Sequence, residues 1–279
     1  MVETPFDQIK KSLSKEIPLK LISKIPDKWK KIGDVLTIKL PPELEKYKTQ
    51  IGEKYAEVLD CKTVLQDISG ITGIYREPNV EIIYGIENTE TVHKENGIHF
   101  KLDPKKIMFS SGNMDERIRM AHVSNEGETV VDLFTGIGYF TLPMAVYSKP
   151  KKMFACEINP VAYDYLCENI VLNNVTSTVE PLLGNNKDTA PRNVAGRVIM
   201  GYIKDTYRFL PLALDCLKNN TGVIHYHEVC PDDLLSSLPL NRAREAADDY
   251  GKTVRLLKYR HIKSYSPGVS HAVLDIQVG

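Results

Sequence analysis

The chain has 279 residues, of which 42% are hydrophobic and 26% charged, a composition typical of a globular protein with a sizeable core. The 36 lysines and arginines balance the 36 aspartates and glutamates, and this zero net charge argues against nonspecific coating of nucleic acid. No apolar run approaches the length of a membrane span and the N-terminus lacks a signal peptide's apolar stretch, so we expect a cytoplasmic protein.

Residues 1–114 predict a small α+β domain that could contact a nucleic acid. Residues 1–27 read as a polar leader with one amphipathic helix, followed by an alternating strand over residues 34–40 and a helix over residues 41–59 that opens with prolines. Asn96-Gly97 is a strong hairpin signal, and we expect the strands around it to be largely antiparallel. The short strands expected here cover residues 63–65, 80–84, 90–95 and 98–102.

Residues 115–279 predict a Rossmann-like α/β domain, because strand and helix patterns alternate along it. Two terminal strands joined by a Ser266-Pro-Gly268 turn are unlike the end of a dehydrogenase. A hairpin of this kind instead completes the seven-stranded sheet of class I methyltransferases. The expected helices cover residues 115–123, 160–173, 206–217 and 232–250, the last broken at Pro239, and the expected strands cover residues 129–131, 153–156, 179–183, 194–200, 222–229, 254–265 and 272–278.

The most informative stretch is the glycine turn DLFTGIG over residues 132–138, which directly follows the strand at residues 129–131. Glycines let the backbone bend sharply and bring bare N–H groups close to a ligand. The next apolar segment ends in an acidic residue whose carboxylate can accept two hydrogen bonds from ribose hydroxyls. The stretch therefore predicts an adenosine-cofactor site at the carboxyl edge of a parallel sheet. Its candidate contacts are Asp132, Phe134, Gly136, Gly138 and Glu157.

Two cofactors compete for this turn. A nicotinamide fingerprint, G-x-G-x-x-G/A, requires a third small residue for close packing around a pyrophosphate, but this chain has Thr141 there and the bulky Tyr139 after the second glycine. D-x-x-x-G-x-G followed by an acid suits S-adenosylmethionine, which has no phosphates to hold. We therefore favour S-adenosylmethionine over NAD, and a turn that only joins a strand to a helix is the remaining alternative.

Metal and disulfide chemistry are not expected. The five cysteines are scattered and no two form a C-x-x-C pair. His225 and His227 would lie on one face of a strand and could bind a metal, but no third ligand accompanies them. We therefore expect two strand histidines and no metal ion.

Several motifs resemble the tRNA guanine-N1 methyltransferases of archaea and eukaryotes, and equally their sister group, the wybutosine-synthesis aminocarboxypropyltransferases. They are GIYREP (residues 73–78), HKENGIHFKLDPKKIMFSS (93–111), ERIRMA (116–121), VVDLFTGIGYFTLPMA (130–145) and CEINPVAYDYLCENIVLNNV (156–175). The resemblance covers residues 70–278. No counterpart is evident of the extra N-terminal module that the guanine-N1 enzymes often carry.

The resemblance implies further cofactor contacts. Ser110 and Arg117 would reach the cofactor from the first domain and the junction, and Arg117 could form a bidentate pair with its carboxylate. Glu157 would hold the ribose. Asn185 and Asn186 would meet the adenine edge, where related folds usually carry an aspartate at the first of these positions.

One departure separates the two sister groups. The guanine-N1 methyltransferases carry N-P-P-Y where this chain has only Gly201-Tyr202, within VIMGYIKD at residues 198–205. The polar group that would hold a guanine against the methyl is therefore missing, which favours the aminocarboxypropyltransferases. Tyr202 is the candidate for positioning the acceptor base, and no residue is an obvious general base.

The resemblance thus implies transfer of the 3-amino-3-carboxypropyl group of S-adenosylmethionine to C7 of a tricyclic wyosine-type base, 4-demethylwyosine, at position 37 of tRNA-Phe, with release of methylthioadenosine. Basic clusters would hold tRNA phosphates near the extruded base. Guanine-N1 methyl transfer and a non-catalytic tRNA-binding module remain as alternatives. The clusters are Lys28, Lys30 and Lys31; Lys105 and Lys106; Lys149, Lys151 and Lys152; and Arg255, Lys258, Arg260 and Lys263.

Overall fold

A computed structural model describes residues 3–279, which form two compact units that meet in sequence between Ser111 and Gly112. The first unit is α+β. A 3-10 helix, Pro42–Tyr47, precedes its longest α-helix. Its helices and strands are α1 (Pro5–Leu13), α2 (Leu19–Ile22), β1 (Trp29–Ile32), β2 (Val35–Ile38), α3 (Lys48–Leu59), β3 (Thr63–Thr72), β4 (Glu77–Gly85), β5 (Thr91–Glu95) and β6 (Ile98–Leu102).

The strands of the first unit form a four-stranded sheet in the order β1-β2-β3-β4 and a separate hairpin of β5 and β6. All pairs are antiparallel except β2 with β3. The predicted hairpin turn is confirmed, because Asn96 and Gly97 both have positive φ, 48° and 77°. Strand β1 was not predicted: Lys30 and Lys31 break its alternation, and lysines are common on edge strands such as this one.

The first unit has its own apolar core between the helices and the four-stranded sheet. Leu44, Ile51 and Tyr55 from the predicted proline-opened helix are fully buried. That helix is in fact two segments, since Pro42–Tyr47 form the 3-10 helix and only Lys48–Leu59 are α-helical. The first two residues of the predicted N-terminal leader lie outside the described residues, and the rest forms α1 and the shorter α2.

The second unit alternates strands and helices, with short 3-10 segments at Thr206–Phe209 and Lys218–Asn220. Its helices and strands are α4 (Met114–Met120), β7 (Thr129–Asp132), α5 (Thr141–Tyr147), β8 (Lys152–Glu157), α6 (Pro160–Leu172), β9 (Val179–Leu183), α7 (Asn186–Thr189), β10 (Arg197–Met200), α8 (Leu210–Cys216), β11 (Gly222–Pro231), α9 (Leu238–Asp248), β12 (Val254–Ser266) and β13 (Val269–Val278).

One seven-stranded sheet organises the second unit, in the order β12-β13-β11-β10-β7-β8-β9. Strands β7 to β11 are all parallel to one another, and β13 is antiparallel to both β11 and β12. The predicted Rossmann-like sheet with a terminal antiparallel hairpin is confirmed. Because β7 and β10 are central, their carboxyl ends open at the middle of one sheet edge, where ligands of such folds bind.

Three helix predictions need correction. The helix expected over residues 232–250 begins only at Leu238, because Pro239 occupies its first turn, where a missing N–H costs nothing, and the residues before it form turns. The segment expected as a helix over residues 206–217 starts as a 3-10 turn. Val161, expected to face inward on α6, is 36% exposed.

All five cysteines are free thiols. Within residues 3–279, no group of three potential metal-ligating side chains converges. No helix in the same range is long and apolar enough to cross a membrane.

Candidate functional site

The glycine turn lies at the carboxyl end of β7, at the centre of the sheet. Gly136 and Gly138 have φ of +61° and +102°, a backbone region that side chains disfavour. A Cβ on Gly136 would come within 2.5 Å of the Tyr139 ring, and one on Gly138 within 2.5 Å of Leu142. Both glycines are therefore required by the tight packing of this turn against the start of α5.

Asp132, the last residue of β7, stabilises the glycine turn through hydrogen bonds. Its side chain is fully buried, and its two oxygens accept hydrogen bonds from the Phe134 N–H at 3.1 Å and the Thr141 hydroxyl at 2.8 Å. Burial raises its pKa to about 6, against the opposing effect of these hydrogen bonds. Asp132 thus shapes the loop that a ligand would meet.

Glu157, the last residue of β8, links this strand to the glycine turn that follows β7. Its carboxylate accepts from the Gly136 N–H and from the Asn159 N–H, each at 2.7 Å. The half-buried side chain has a raised pKa because burial outweighs these hydrogen bonds. A carboxylate has about four acceptor positions, so this one can still accept from two ribose hydroxyls.

The loop after β9 completes this side of the site. Gly184 N–H donates to the Glu157 carbonyl at 2.9 Å, which ties β9 to β8. Asn185 caps α7 by accepting from the Lys187 N–H at 3.0 Å, and Asn186, 7% exposed, donates to the Leu133 carbonyl at 2.9 Å. The structure therefore brings both predicted asparagines next to the glycine turn.

Three aromatic side chains pack together beside the glycine turn. Phe134 stacks on Tyr202 with ring centroids 5.1 Å apart and an interplanar angle of 16°, and Phe209 meets Phe134 edge-on. Gly201 lies directly before this stack, and a Cβ there would come within 2.8 Å of the Phe140 ring. The space where a side chain would begin at position 201 is already filled.

The two remaining predicted contacts belong to different units. Ser110 is half-buried near the end of the first unit, and Arg117 lies on α4 in the second unit with 2% of its surface exposed. Their contacts with a cofactor stay predictions.

A buried ionic network on the second unit was not anticipated from the sequence. Arg119 bridges the carboxylates of Glu116 and Asp275, and Asp275 also contacts His225 Nδ1 at 2.5 Å. Burial alone would raise the pKa of Asp275, but hydrogen bonds from His225 and Arg119 together hold it well below its usual range. Burial lowers the pKa of His225, against the effect of Asp275. His225 is therefore a structural hydrogen-bonding partner.

The polar groups at this edge of the sheet fit a ligand that carries an adenosine and a sulfonium. A fixed carboxylate is available for the ribose, amide side chains for the adenine, and a glycine turn without bulk for close approach. A pyrophosphate site needs a third small residue in the G-x-G-x-x-G/A turn. Thr141 occupies that position here, and its buried hydroxyl donates to Asp132.

Two family models match the chain: the TRM5/TYW2 methyltransferase domain over residues 91–257 and the TYW2 N-terminal domain over residues 9–89. The tRNA(Phe) (4-demethylwyosine(37)-C(7)) aminocarboxypropyltransferase of Pyrococcus horikoshii is 45% identical over 97% of this chain and 96% of its own length. The protein of the same name from Methanocaldococcus jannaschii is 48% identical over 89% of this chain and 96% of its own.

A more distant relative is the tRNA (guanine(37)-N(1))-methyltransferase Trm5b of Pyrococcus abyssi, 38% identical over 94% of this chain and 78% of its own length. Among solved structures, P. horikoshii TYW2 in complex with MeSAdo superposes with a TM-score of 0.88, at 44% identity and with 98% of each chain covered. The chain therefore belongs to the TRM5/TYW2 family, in the branch of the tRNA wybutosine-synthesis aminocarboxypropyltransferases.

Proposed function

We propose that this protein transfers the 3-amino-3-carboxypropyl group of S-adenosylmethionine to C7 of 4-demethylwyosine at position 37 of tRNA-Phe and releases methylthioadenosine. The two aminocarboxypropyltransferase relatives match nearly the full chain at 45% and 48% identity. The observation that carries the proposal is Gly201, packed against Phe140, where the guanine-N1 methyltransferases hold their base with N-P-P-Y.

The cofactor roles follow from the geometry of the sheet edge. Glu157 accepts from the ribose hydroxyls, and Gly136 and Gly138 let the backbone approach the ligand. Asn185 bonds the Lys187 N–H through its side-chain oxygen, whose second lone pair can accept from the adenine amino group, and Asn186 lies beside it. Asp132 and Phe134 shape the turn beneath and beside the ligand.

Ser110 and Arg117 are assigned to the methionine arm of the cofactor. A guanidinium can form a bidentate pair with the carboxylate of that arm, which would fix its direction. The sulfonium activates three carbons to similar extents, so the position of the arm selects which one is attacked.

The acceptor base must leave its stack in the tRNA to reach this edge. The Phe134–Tyr202 stack offers an aromatic face on which a tricyclic base can lie, a contact worth roughly 1–3 kcal/mol. Gly201 brings no polar group that would hold a guanine, and the Phe140 ring already fills the space beside it.

tRNA is the partner that this family acts on, and the anticodon region is the part that we assign to the site. The first unit, which matches the TYW2 N-terminal domain model, is proposed as a further tRNA contact. A cytoplasmic location remains a prediction.

Two alternatives are separable by their products. Guanine-N1 methyl transfer is the activity named for the relative at 38% identity and would yield adenosylhomocysteine. A non-catalytic binding module would yield neither nucleoside, and the tightly built turn with Gly136, Gly138 and Glu157 argues against it.

The test uses S-adenosylmethionine labelled in its carboxyl group and tRNA-Phe carrying 4-demethylwyosine. Label should enter the RNA and methylthioadenosine should appear in equal amount. Unlabelled RNA together with adenosylhomocysteine would contradict the proposal and favour the methyltransferase.

A further inference from the structure

Helix α4 lies along one face of the seven-stranded sheet, and two contacts fix its direction. Near its C-terminus, Arg119 binds Asp275 of β13 at 2.5 Å. Just before its first residue, a Cβ built on Gly112 would lie 3.3 Å from the ammonium of Lys263 on β12. Lys263 is paired with His271, which precedes Asp275 on β13 and lies near the carboxyl end of β11. The helix therefore begins near the carboxyl edge of the sheet and runs back along its face.

This direction places Arg117 at the height of the glycine turn. The register of β13 with β11, of β11 with β10 and of β10 with β7 puts Asp275 in one cross-strand row with Asp132, the last residue of β7. Arg119, which binds Asp275, therefore lies close to that row. Arg117 comes two residues earlier on α4, about 3 Å closer to the carboxyl edge, and only 2% of its surface is exposed.

Arg119 joins two buried carboxylates. Its guanidinium donates to both oxygens of Asp275, at 2.5 and 3.1 Å, and to Glu116 on its own helix. Glu116 is 1% exposed and Asp275 7%, and Arg260 of β12 brings a second cation to 3.3 Å from Glu116. Burying charges is costly, and apolar residues of similar volume would often stabilise a fold as well or better. Stability alone therefore does not account for this network.

The network instead gives a short helix a fixed position. The seven residues of α4 are too few for a helix that is stable by itself, so its position depends on its contacts with the sheet. Asp275 is in turn oriented by His225, whose Nδ1 lies 2.5 Å from Asp275 Oδ1 and whose Nε2 lies 2.6 Å from Arg197. Because arginine can only donate, Nε2 accepts and the proton of the neutral ring is on Nδ1, where it donates to Asp275.

We propose that Asp275 is a positioning residue of the transfer reaction: its bidentate pair with Arg119 fixes α4 and thereby directs Arg117 toward the methionine arm of the donor. This inference rests on the proposed function, which assigns Arg117 to that arm. The sulfonium activates three carbons, and the direction of the arm decides which of them faces the acceptor. Asp275 contributes to that selection through Arg117, without touching the ligand.

The test compares two ligands, because only one of them has the methionine arm. Calorimetry measures the affinities of S-adenosylmethionine and of methylthioadenosine, which shares the adenosine but lacks the arm, for the wild type and Asp275→Asn. Asparagine keeps the shape, but its NH2 group replaces an oxygen that accepts a hydrogen bond. Glu228→Gln is the matched control, since it makes the same change in a buried carboxylate that pairs with Arg242 of α9, on the opposite face of the sheet.

We expect Asp275→Asn to weaken S-adenosylmethionine binding about tenfold, as when one charge-assisted pair is disturbed, and to leave methylthioadenosine binding unchanged. Arg117→Ala should show the same selective loss. In the Arg117→Ala background, Asp275→Asn should cause no further loss, because its effect passes through Arg117. Glu228→Gln should leave both affinities at the wild-type values.

Equal weakening of both ligands in Asp275→Asn, unchanged affinities, or additive losses in the double variant would each overturn the positioning role. If Asp275→Asn does not fold, Arg119→Lys takes its place under the same criteria, because lysine keeps the charge but lacks the planar fork that binds both carboxylates. If Arg117→Ala bound S-adenosylmethionine as the wild type does, the assignment of Arg117 under the proposed function would fall and the role of Asp275 with it. That result is distinct from an inert Asp275→Asn beside a sensitive Arg117→Ala.

Discussion

At the scale of single residues, Glu157 accepts hydrogen bonds from two backbone N–H groups, and we also assign it the ribose of the cofactor. Glu157→Ala should weaken S-adenosylmethionine binding about tenfold or more, because charge-assisted hydrogen bonds to the ribose contribute on the order of 1.5–3 kcal/mol. It should also lower the melting temperature, since the Gly136 and Asn159 N–H groups lose their acceptor. Titration calorimetry on the folded variant measures the first effect.

The matched control is Glu180→Ala, which removes an exposed carboxylate on β9 that forms an ion pair with Lys152 at 2.9 Å. Its affinity should equal that of the wild type. Unchanged affinity in Glu157→Ala would mean that the ribose lies elsewhere.

Asp132 gives the protein a pH dependence of stability with a defined sign. Its pKa is about 6 in the folded state against 3.8 ordinarily, so between about pH 4 and 6 the folded protein binds the extra proton. The free energy of unfolding should therefore fall as pH rises through this window, by about 2–3 kcal/mol, and level off above it.

Asp132→Asn should remove this contribution while preserving the turn, because the amide oxygen can accept from the Phe134 N–H and the amide nitrogen can donate to the Thr141 hydroxyl. Urea unfolding at pH 4.5 and pH 7 measures the difference for both proteins. An identical pH dependence in wild type and variant would show that Asp132 is ionised throughout.

At the scale of elements, the end of β10 and the start of α5 are fitted to each other at Gly201 and Phe140. Gly201→Ala should destabilise the protein by about 1–3 kcal/mol, because its Cβ would lie 2.8 Å from the Phe140 ring. Phe140→Leu should relieve the clash, so the two substitutions together should cost less than their sum. Thermal melts of the four proteins of this cycle measure the coupling, and strict additivity would contradict the contact.

Features coded within a short stretch were predictable. The β7 strand, its glycine turn and the acid at the end of β8 follow from an apolar run, two glycines and Glu157 in one unbroken segment. The Asn96-Gly97 hairpin was predicted for the same reason. One error arose because the helical pattern in the sequence begins before the helix itself, in the turns that precede Leu238. Another arose because an apolar residue, Val161, faces solvent.

Contacts between distant residues could not be read from the sequence. Arg119 meets Asp275 across 156 positions, and His227 meets His271 across 44. The H-x-H pattern was visible, but only the pairing of β11 with β13 places a third histidine beside it. Likewise, Gly201 was recognised as a departure from N-P-P-Y. No pattern in the sequence indicated that the Phe140 ring fills the space beside Gly201.

At the scale of the whole molecule, zero net charge means that tRNA binding must depend on where cations lie. Lys263 pairs with His271 across β12 and β13, near the carboxyl end of β11, and thus at the edge of the sheet that carries the site. Lys151 directly precedes β8 and lies at the opposite edge, so the cluster of Lys149, Lys151 and Lys152 is not beside the site as expected from the sequence. Lys263→Ala should weaken tRNA binding and reduce the slope of log affinity against log salt by about 1, as for one lost phosphate contact.

Lys151→Ala is the control and should leave both affinity and slope unchanged. Filter binding or fluorescence anisotropy between 50 and 200 mM salt, roughly the range over which phosphate contacts are lost, measures both quantities. Equal effects of the two substitutions would mean that the tRNA does not approach the carboxyl edge.

In the proposed function the glycine turn holds the donor and the end of β10 receives the base, so the choice of acceptor depends on the whole site. With Gly201 in place of a polar side chain, nothing at that position holds guanine, so unmodified tRNA should be neither methylated nor labelled, and tRNA with the tricyclic base should yield methylthioadenosine. Tyr202→Ala should slow that transfer and leave S-adenosylmethionine affinity nearly unchanged, because it removes one ring of the Phe134–Tyr202 stack. Chromatography of the nucleoside products decides, and adenosylhomocysteine as the main product would contradict this selection of carbon and base.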